Sequence, residues 1–259
     1  MKIVTETATH EIVAYEQGEQ APLGYQQGDG KCYRVTEGSD PGLRYRLRVP
    51  LLPNTQLKVW QGLIEPQVVA DLLADDPVTT SVPLNGTVRD AAKVTLACGL
   101  VGVHKPAASD DEWTGLHWAE IAAYQVDRAI GLDCVPVTVL RQQPVAGSIQ
   151  LWVDGLTHLA TAPPEVLLFD RLIANSDRGN ENSPNFKAHP HAPRHCVAFD
   201  NGCSFTATVL DGKQGVEAPD PTLVARLTTL KVDDLYGLPP QSRVDLADRV
   251  KKLHVLFTA

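Results

Sequence analysis

The sequence lacks the features of a membrane-spanning or secreted protein. No stretch approaches the roughly eighteen apolar residues of a spanning helix, and the first residues, MKIVTETATHEIVAYEQ, contain no apolar signal core. The five cysteines include no CxxC pair, which favours reduced thiols over a disulfide framework. We therefore expect a cytoplasmic protein without stable membrane association.

Positive charge is also scarce. The chain has 23 Lys and Arg against 31 Asp and Glu, a net charge of −8, so we expect no nucleic-acid partner. Neither a G-x-G-x-x-G loop nor an internal repeat is present. What the chain does have is 43% hydrophobic residues, enough to bury the core of a globular protein.

The order of predicted elements divides the chain in two. Residues 1–76 form a small β-rich module, with strands EIVAY, GKCYRVT, LRYRLRVPLL and QLKVW and a linker helix EPQVVADLLAD. Residues 77–259 continue with strands TTSVPL, AKVTLA and LVGVHKP, a helix GLHWAEIAAYQVDRAIGL, and two further strands of the same sheet, CVPVTVLR and SIQLWVDG. Two amphipathic segments near the C-terminus are predicted helices whose core residues include Val244 and Leu246.

The most distinctive stretch is LLFDRLIANSDRGNENSPNF, followed by VAFDNGCSF. Apolar residues at helical spacing lead into a polar loop with Asp177 and Asn182, and an apolar strand then ends at Asp200. Phosphoryl transfer uses one Asp to orient the attacking hydroxyl, and an Asn and a second Asp to hold a divalent metal. Asp177 and Asn182 have the i, i+5 spacing of such a pair, with Asp200 as the main metal ligand. A solvated loop of Asx-turns is the alternative.

Two residues upstream fit the same chemistry. Lys105 ends the strand LVGVHKP, where an ammonium would contact nucleotide phosphates. Glu120 lies in the first half of the next helix, where it could pair with Lys105. The alternatives are a lysine that blunts a sheet edge and an exposed carboxylate that complements the helix dipole.

Two other segments are candidates for nucleotide contacts. The backbone near Leu151, Trp152 and Val153 lies at the predicted crossover between lobes and would contact adenine, although Trp152 is equally compatible with a plain core position. The turn around Asn85, Gly86 and Thr87 would cover the phosphates with backbone N–H groups. An Asn-Gly turn is also the commonest hairpin connection.

Taken together, these residues resemble the core of HipA-like kinases and the related phosphatidylinositol 3/4-kinase-like proteins. FDRLIANSDRGNEN followed by VAFDNGCSF is similar to their D-x-x-I-x-N-x-D-R/D-x-x-x-N helix and loop and to the D-N/H-G-x-x-F strand end. VHKP followed by AEIAAYQVDRAIGLDCVPVTVL is similar to their K-P and E-x-x-A-Y segments. The resemblance covers about residues 80–206. It departs after Asp177, where many relatives carry a His and this chain has GNE.

The resemblance implies an α+β, two-lobed protein-kinase-like fold, with an antiparallel β-rich small lobe (77–155), a mainly helical large lobe (156–259) and a small β-rich N-terminal extension. It implies an ATP- and Mg²⁺-dependent kinase whose acceptor is a hydroxyl, most simply a protein Ser/Thr. Lys105, paired with Glu120, would hold the phosphates, Asp177 would be the catalytic base, and Asn182 and Asp200 would bind Mg²⁺. Arg178 would stabilise the loop or face a phosphate.

Three alternatives stay open at this point. The first is a catalytically degenerate relative that binds nucleotide or a protein partner, and the second is a kinase for a phosphatidylinositol-type lipid or a small molecule. The third is a Zn²⁺ site in the His/Pro-rich turn formed by His189, His191, His195 and Cys196.

Overall fold

A computed structural model gives the architecture of the chain. It describes the backbone of residues 2–6, 12–15, 24–28 and 31–37, and then residues 52, 54–84, 90–107, 117–178, 185–189, 192–205 and 221–258. Side chains are described from residue 52 onward within these ranges, except for 192–195 and 256–258.

The N-terminal segment contains a four-stranded antiparallel sheet. Its strands are β1 (Lys2–Glu6), β2 (Ile12–Tyr15), β3 (Gly24–Gly28) and β4 (Lys31–Glu37), in the order β2-β1-β4-β3. Two of the predicted strands, EIVAY and GKCYRVT, coincide with β2 and β4. The predicted strand LRYRLRVPLL lies almost entirely outside the described residues.

Two helices follow the N-terminal sheet, α1 (Thr55–Trp60) and α2 (Pro66–Asp75). The prediction of a strand at QLKVW is wrong, because this segment is α1. Alternating Leu and Val over so few residues fit either structure, and the helix buries Val59 in a shared core. Helix α2 begins with Pro66, whose fixed φ suits a first helical turn.

The small-lobe sheet has five antiparallel strands. They are β5 (Val78–Pro83), β6 (Ala92–Leu96), β7 (Val101–Pro106), β8 (Thr138–Arg141) and β9 (Gly147–Leu151), in the order β5-β6-β7-β9-β8. This confirms that the segments on both sides of the intervening helix belong to one sheet. Helix α2 packs on β8 and β9. Helices α1 and α2, which the predicted boundary at residue 76 assigns to the N-terminal module, therefore share the core of this sheet.

Helix α3 (His117–Ile130) connects the two lobes. It contacts β8 and β9 on one side and α4 (Pro164–Ile173) and α5 (Pro221–Leu227) on the other. Its small residues Ala119, Ala122 and Ala123 are fully buried, which allows neighbouring elements to approach closely. The position of α3 is thus fixed by both lobes.

The large lobe combines helices with a small sheet. Strands β10 (Thr157–His158), β11 (Phe186–His189) and β12 (Ala192–Ala198) pair in chain order, and the last helix is α6 (Pro240–Thr258), after a 3-10 turn at Val232–Asp234. The core forms around α4, with Phe169, Leu172 and Leu246 fully buried. Leu246 is therefore a core residue as predicted, whereas Val244 is 62% exposed because it lies on the outer face of α6.

Within the described part of the chain, no helix combines the length and the apolar character that a membrane crossing requires.

Burial changes the ionisation of one carboxyl group, that of Asp127. Asp127 on α3 is completely buried, and its Oδ1 accepts hydrogen bonds from the backbone N–H of Cys134 at 3.0 Å and from Cys134 Sγ at 3.1 Å. Burial raises the pKa of Asp127 from 3.8 to about 7, although the bonds from Cys134 oppose the rise. The folded protein therefore holds a proton here at pH values where the unfolded chain has lost it.

We predict that Asp127→Asn changes the pH dependence of stability. The carboxyl favours folding below its unfolded pKa, and this contribution is lost as the pH rises from about 4 to about 7. Relative to the wild type, the Asn variant should therefore gain stability over that interval. Urea denaturation midpoints at several pH values measure the difference, and a difference independent of pH would contradict the assignment.

Candidate functional site

A cleft of about 520 Å³ opens between the small-lobe sheet and the large lobe. The predicted segment Leu151, Trp152 and Val153 lines it. Trp152 is not a plain core residue, because its indole N–H donates to Asp154 Oδ1 at 2.6 Å and Lys93 Nζ lies 3.9 Å from the ring centroid. The crossover strand thus presents both an apolar wall and its backbone to the cleft.

In the crossover segment, the backbone of Trp152 pairs with the sheet, whereas that of Val153 pairs with none of the described strands. The N–H of Trp152 donates to Val101 O at 2.9 Å, which continues the sheet pairing. For Val153, by contrast, no backbone hydrogen bond occurs within the described residues. A planar heterocycle in the cleft would find an N–H and a C=O available at this position.

Lys105 lies at the mouth of the cleft and binds two carboxylates. Its Nζ forms ion pairs with Glu120 Oε1 and, at 2.5 Å, with Asp200 Oδ1. Burial lowers the pKa of Lys105, but the charges of Glu120 and Asp200 outweigh it and raise that pKa above its ordinary value. Glu120 is 2% exposed, so it is not the exposed helix-start carboxylate of the alternative hypothesis. The structure therefore joins β7, α3 and the end of β12 through one ammonium.

Asp200 follows β12 in a left-handed backbone conformation, with φ of 56°. Such a conformation is uncommon for a residue other than glycine. The next residue, Asn201, donates its backbone N–H to Glu120 Oε2 at 3.0 Å. Glu120 thus contacts both Lys105 and the segment that carries Asp200, whose carboxylate is 45% exposed toward the cleft.

Asp177 is presented by the loop after α4. That helix ends at Ala174, which has φ of 51°. The backbone N–H of Asp177 then donates to Asn175 Oδ1 at 3.0 Å. The side chain of Asn185 donates its Nδ2 to Asp177 O and to Asp177 Oδ2, each at 3.3 Å. Asp177 is therefore oriented by amide groups on both sides of the loop.

Asn185 is a site residue that the sequence analysis did not identify. It directly precedes β11, is 9% exposed, and its backbone O accepts from the N–H of Phe199 at 3.1 Å. Because Nδ2 is turned to Asp177, the amide oxygen is available; no described residue donates to it. An asparagine placed just before an apolar strand, in the loop after a catalytic-type Asp, was the signal in the sequence.

Arg178 points into the protein. It is 4% exposed, and its Nε donates to both carboxylate oxygens of Asp170, at 3.0 and 3.1 Å. Burial raises the pKa of Asp170 to about 6, against the opposing charge of Arg178. This geometry fits the loop-stabilising role of Arg178 better than the phosphate-facing one.

Several predicted residues lie outside the described residues. They are Asn182 and the turn of Asn85, Gly86 and Thr87, and their roles stay predictions. The same holds for the side chains of His191 and His195 in the suggested Zn²⁺ turn. Of its other members, His189 is 2% exposed with its ring centroid 6.0 Å from that of Trp60, and Cys196 is also buried. In the described part of the chain, no three His, Cys, Asp or Glu residues form a metal-binding group.

Solved kinase structures share this architecture. A Golgi casein kinase aligns with a TM-score of 0.55 at 12% identity, covering 74% of each chain, and a Golgi casein kinase with Mn/ADP bound aligns at 0.58 and 12%, covering 76% of each. A hydra Fam20 with sugar aligns at 0.55 and 16%, covering 78% of this chain and 94% of that one. No protein-family profile and no curated protein sequence matches the chain.

These alignments confirm the predicted fold class, an α+β, two-lobed, protein-kinase-like fold. At this level of identity they establish the fold alone. The resemblance to HipA-like kinases stays a prediction from the sequence.

We predict that replacing the different carboxylates of the site lowers the free energy of unfolding by different amounts. Glu120→Ala should cost about 3 kcal/mol, because it removes the buried partner of the half-buried Lys105 and leaves a buried N–H at Asn201. Asp177→Ala and Asp200→Ala should each cost about 1 kcal/mol or less, since both side chains are partly exposed, their loss opens no cavity, and Glu120 still pairs with Lys105. Urea denaturation of the three variants measures this order. Unfolding of either Asp variant would mark that residue as structural.

Proposed function

We propose that the protein is a kinase that transfers the γ-phosphate of ATP to a hydroxyl acceptor. The observation that carries the proposal is the contact of Lys105 with both Glu120 and Asp200 at the mouth of the cleft. In protein kinases a lysine paired with a helix glutamate holds the nucleotide phosphates, beside an aspartate that binds metal. The cleft supplies the remaining part, an apolar space next to the backbone of Val153.

Two oxygen donors of the site fit a divalent cation such as Mg²⁺. They are the half-exposed carboxylate of Asp200 and the amide oxygen of Asn185, and hard cations prefer such ligands. When bound, the metal would neutralise charge on the triphosphate. Asn182, which has the expected spacing from Asp177, is the other candidate for the amide ligand.

Within this proposal the chain's own residues have separate tasks. Lys105 binds phosphate oxygens, and Glu120 keeps its ammonium at the end of β7. Asp177 accepts the proton of the attacking hydroxyl and orients it. The hydrogen bonds from Asn185 and to Asn175 hold this carboxylate in position while it acts.

The proposed acceptor is a protein Ser/Thr hydroxyl, in the manner of the HipA-like kinases that the sequence resembles. Lipid head groups and small molecules present the same hydroxyl and are the alternative acceptors. The net charge of −8 favours neither a nucleic acid nor an anionic membrane as partner, and we propose a cytoplasmic location.

We predict that ATP with Mg²⁺ raises the thermal unfolding midpoint, because a ligand that binds only the folded state must stabilise it. Asp200→Ala should lose the metal-dependent part of the rise, since it removes a metal ligand. Thermal-shift titration of both proteins, with and without EDTA, measures this.

Asp248→Ala is the matched control, because it removes an exposed carboxylate of α6 that does not line the cleft. It should retain the full rise. A wild type that shows no shift at millimolar nucleotide would contradict the proposal and indicate a degenerate relative that binds a protein partner. A nucleotide shift without phosphate transfer to any acceptor would indicate a nucleotide-binding protein.

The two candidate amide ligands can be separated directly. We predict that Asn185→Ala weakens Mn²⁺ binding in the presence of ADP, because the amide of Asn185 is fixed beside Asp177; Asn182→Ala tests in the same way the ligand that the i, i+5 spacing predicts. Electron paramagnetic resonance of Mn²⁺ measures occupancy without reference to activity. Unchanged Mn²⁺ binding in Asn185→Ala together with weakened binding in Asn182→Ala would assign the ligand to Asn182.

A further inference from the structure

A single buried guanidinium contacts the segments that carry both reactive carboxylates. Beyond its pairing with Asp170, Arg178 Nη1 donates to Asn185 O at 2.6 Å and to Phe199 O at 2.5 Å. Its Nη2 donates to Asn201 Oδ1. All three nitrogens are therefore bound to protein groups, and we call Arg178 with these four partners the Arg178 clamp.

The partners in the clamp flank the reactive side chains. Arg178 itself directly follows Asp177, and Asn185 is the residue whose amide orients the Asp177 carboxylate. Phe199 and Asn201 lie on either side of Asp200. The guanidinium thus binds the backbone or side chain next to each carboxylate and forms no hydrogen bond to either carboxylate itself.

The backbone at Asp200 requires such support. Its φ of 56° is a conformation that non-glycine residues adopt at a cost, and it persists where surrounding contacts determine it. Bonds from one rigid, planar group to Phe199 and Asn201 fix the chain on both sides of this residue. A flexible lysine ammonium offers no such fixed geometry.

The clamp also reaches the small lobe. Asn201, which accepts from Arg178 through its side chain, donates its backbone N–H to Glu120. Glu120 in turn holds Lys105. A continuous chain of buried polar contacts therefore runs from Asp170 on α4 to β7.

We propose that Arg178, with its charge balanced by Asp170, is a positioning residue that sets the placement of Asp200 relative to Asp177 and thereby the metal affinity of the nucleotide complex. This inference rests on the proposed kinase function. It assigns Arg178 no contact with nucleotide or acceptor. Loss of the clamp should weaken the contribution of the metal to nucleotide binding and leave the metal-free affinity intact, since Arg178 hydrogen-bonds neither the crossover strand nor Lys105, and the bond from Asn201 to Glu120 comes from the backbone.

The test is the affinity for a fluorescent ADP analogue, measured once in EDTA and once with saturating Mn²⁺. The ratio of the two affinities is the contribution of the metal. Arg178→Lys keeps the charge but loses the planar fork, and it should lower this ratio about tenfold, the usual effect of removing a group that orients a metal ligand. The affinity in EDTA should not change.

Arg243→Lys is the matched control. The Arg243 guanidinium donates to three backbone carbonyls, those of Asp233, Leu235 and Leu238, none of which belongs to the clamp. Its loss should lower the thermal midpoint and leave the metal contribution unchanged. A merely structural role of Arg178 would give the same pattern as this control.

A second variant with a smaller change tests the proposal if Arg178→Lys does not fold. Asn201→Ala removes one acceptor of the clamp and keeps the backbone N–H that binds Glu120. Its control is Ser242→Ala, which removes one buried hydrogen bond, to Phe205 O at 3.0 Å. Asn201→Ala should lower the metal contribution, and Ser242→Ala should not.

Each outcome of these affinity measurements supports or overturns the proposal for Arg178. A lowered ratio in Arg178→Lys, or in Asn201→Ala where the former does not fold, supports the clamp if the controls keep the wild-type ratio. An unchanged ratio in the folded clamp variants, or an equal fall in the controls, overturns it while the kinase proposal stands. A wild type whose ADP affinity is the same in EDTA and in Mn²⁺ overturns the metal-dependent function and the clamp together.

Discussion

Lys105 places a positive charge where most of its side chain is withdrawn from water, and a buried ammonium is stable only beside compensating carboxylates. Glu120 and Asp200 provide them. Since the three residues come from β7, α3 and the end of β12, their contact requires the sheet, the connecting helix and the large lobe to meet at one point. This polar contact and the apolar packing of the two lobes together define the cleft.

Apolar burial fixes the frame around that contact. One core lies under the small-lobe sheet with α1 and α2, the other surrounds α4, and α3 contributes to the second while packing on the strands of the first. The first core includes Leu151, which also lines the cleft, but the polar groups of the site lie outside both cores. Both hold the ends of strands and helices from which its polar groups extend, which is the usual arrangement of reactive loops on a rigid scaffold.

Much of this was predictable from local pattern. Strands and helices with clear periodicity were placed correctly, and Lys105, Glu120 and Asp200, identified by type and order along the chain, do meet in space. QLKVW was wrong because a short apolar run has no preferred period. Asn185 was missed because its distance from Asp177 along the loop does not show that its side chain reaches that residue, and loop geometry depends on contacts from elsewhere in the fold.

The sequence by itself determined most element types and the chemical inventory, because helix and strand periods and residue identities are local properties. The tertiary structure decided which groups are charged, buried and oriented. From the sequence, Arg178 is a cation beside a catalytic-type Asp and could stabilise the loop or face a phosphate. Only the folded chain turns it inward onto Asp170 and Asn201, because a buried carboxylate and unpaired carbonyls from distant segments need a donor that solvent no longer supplies.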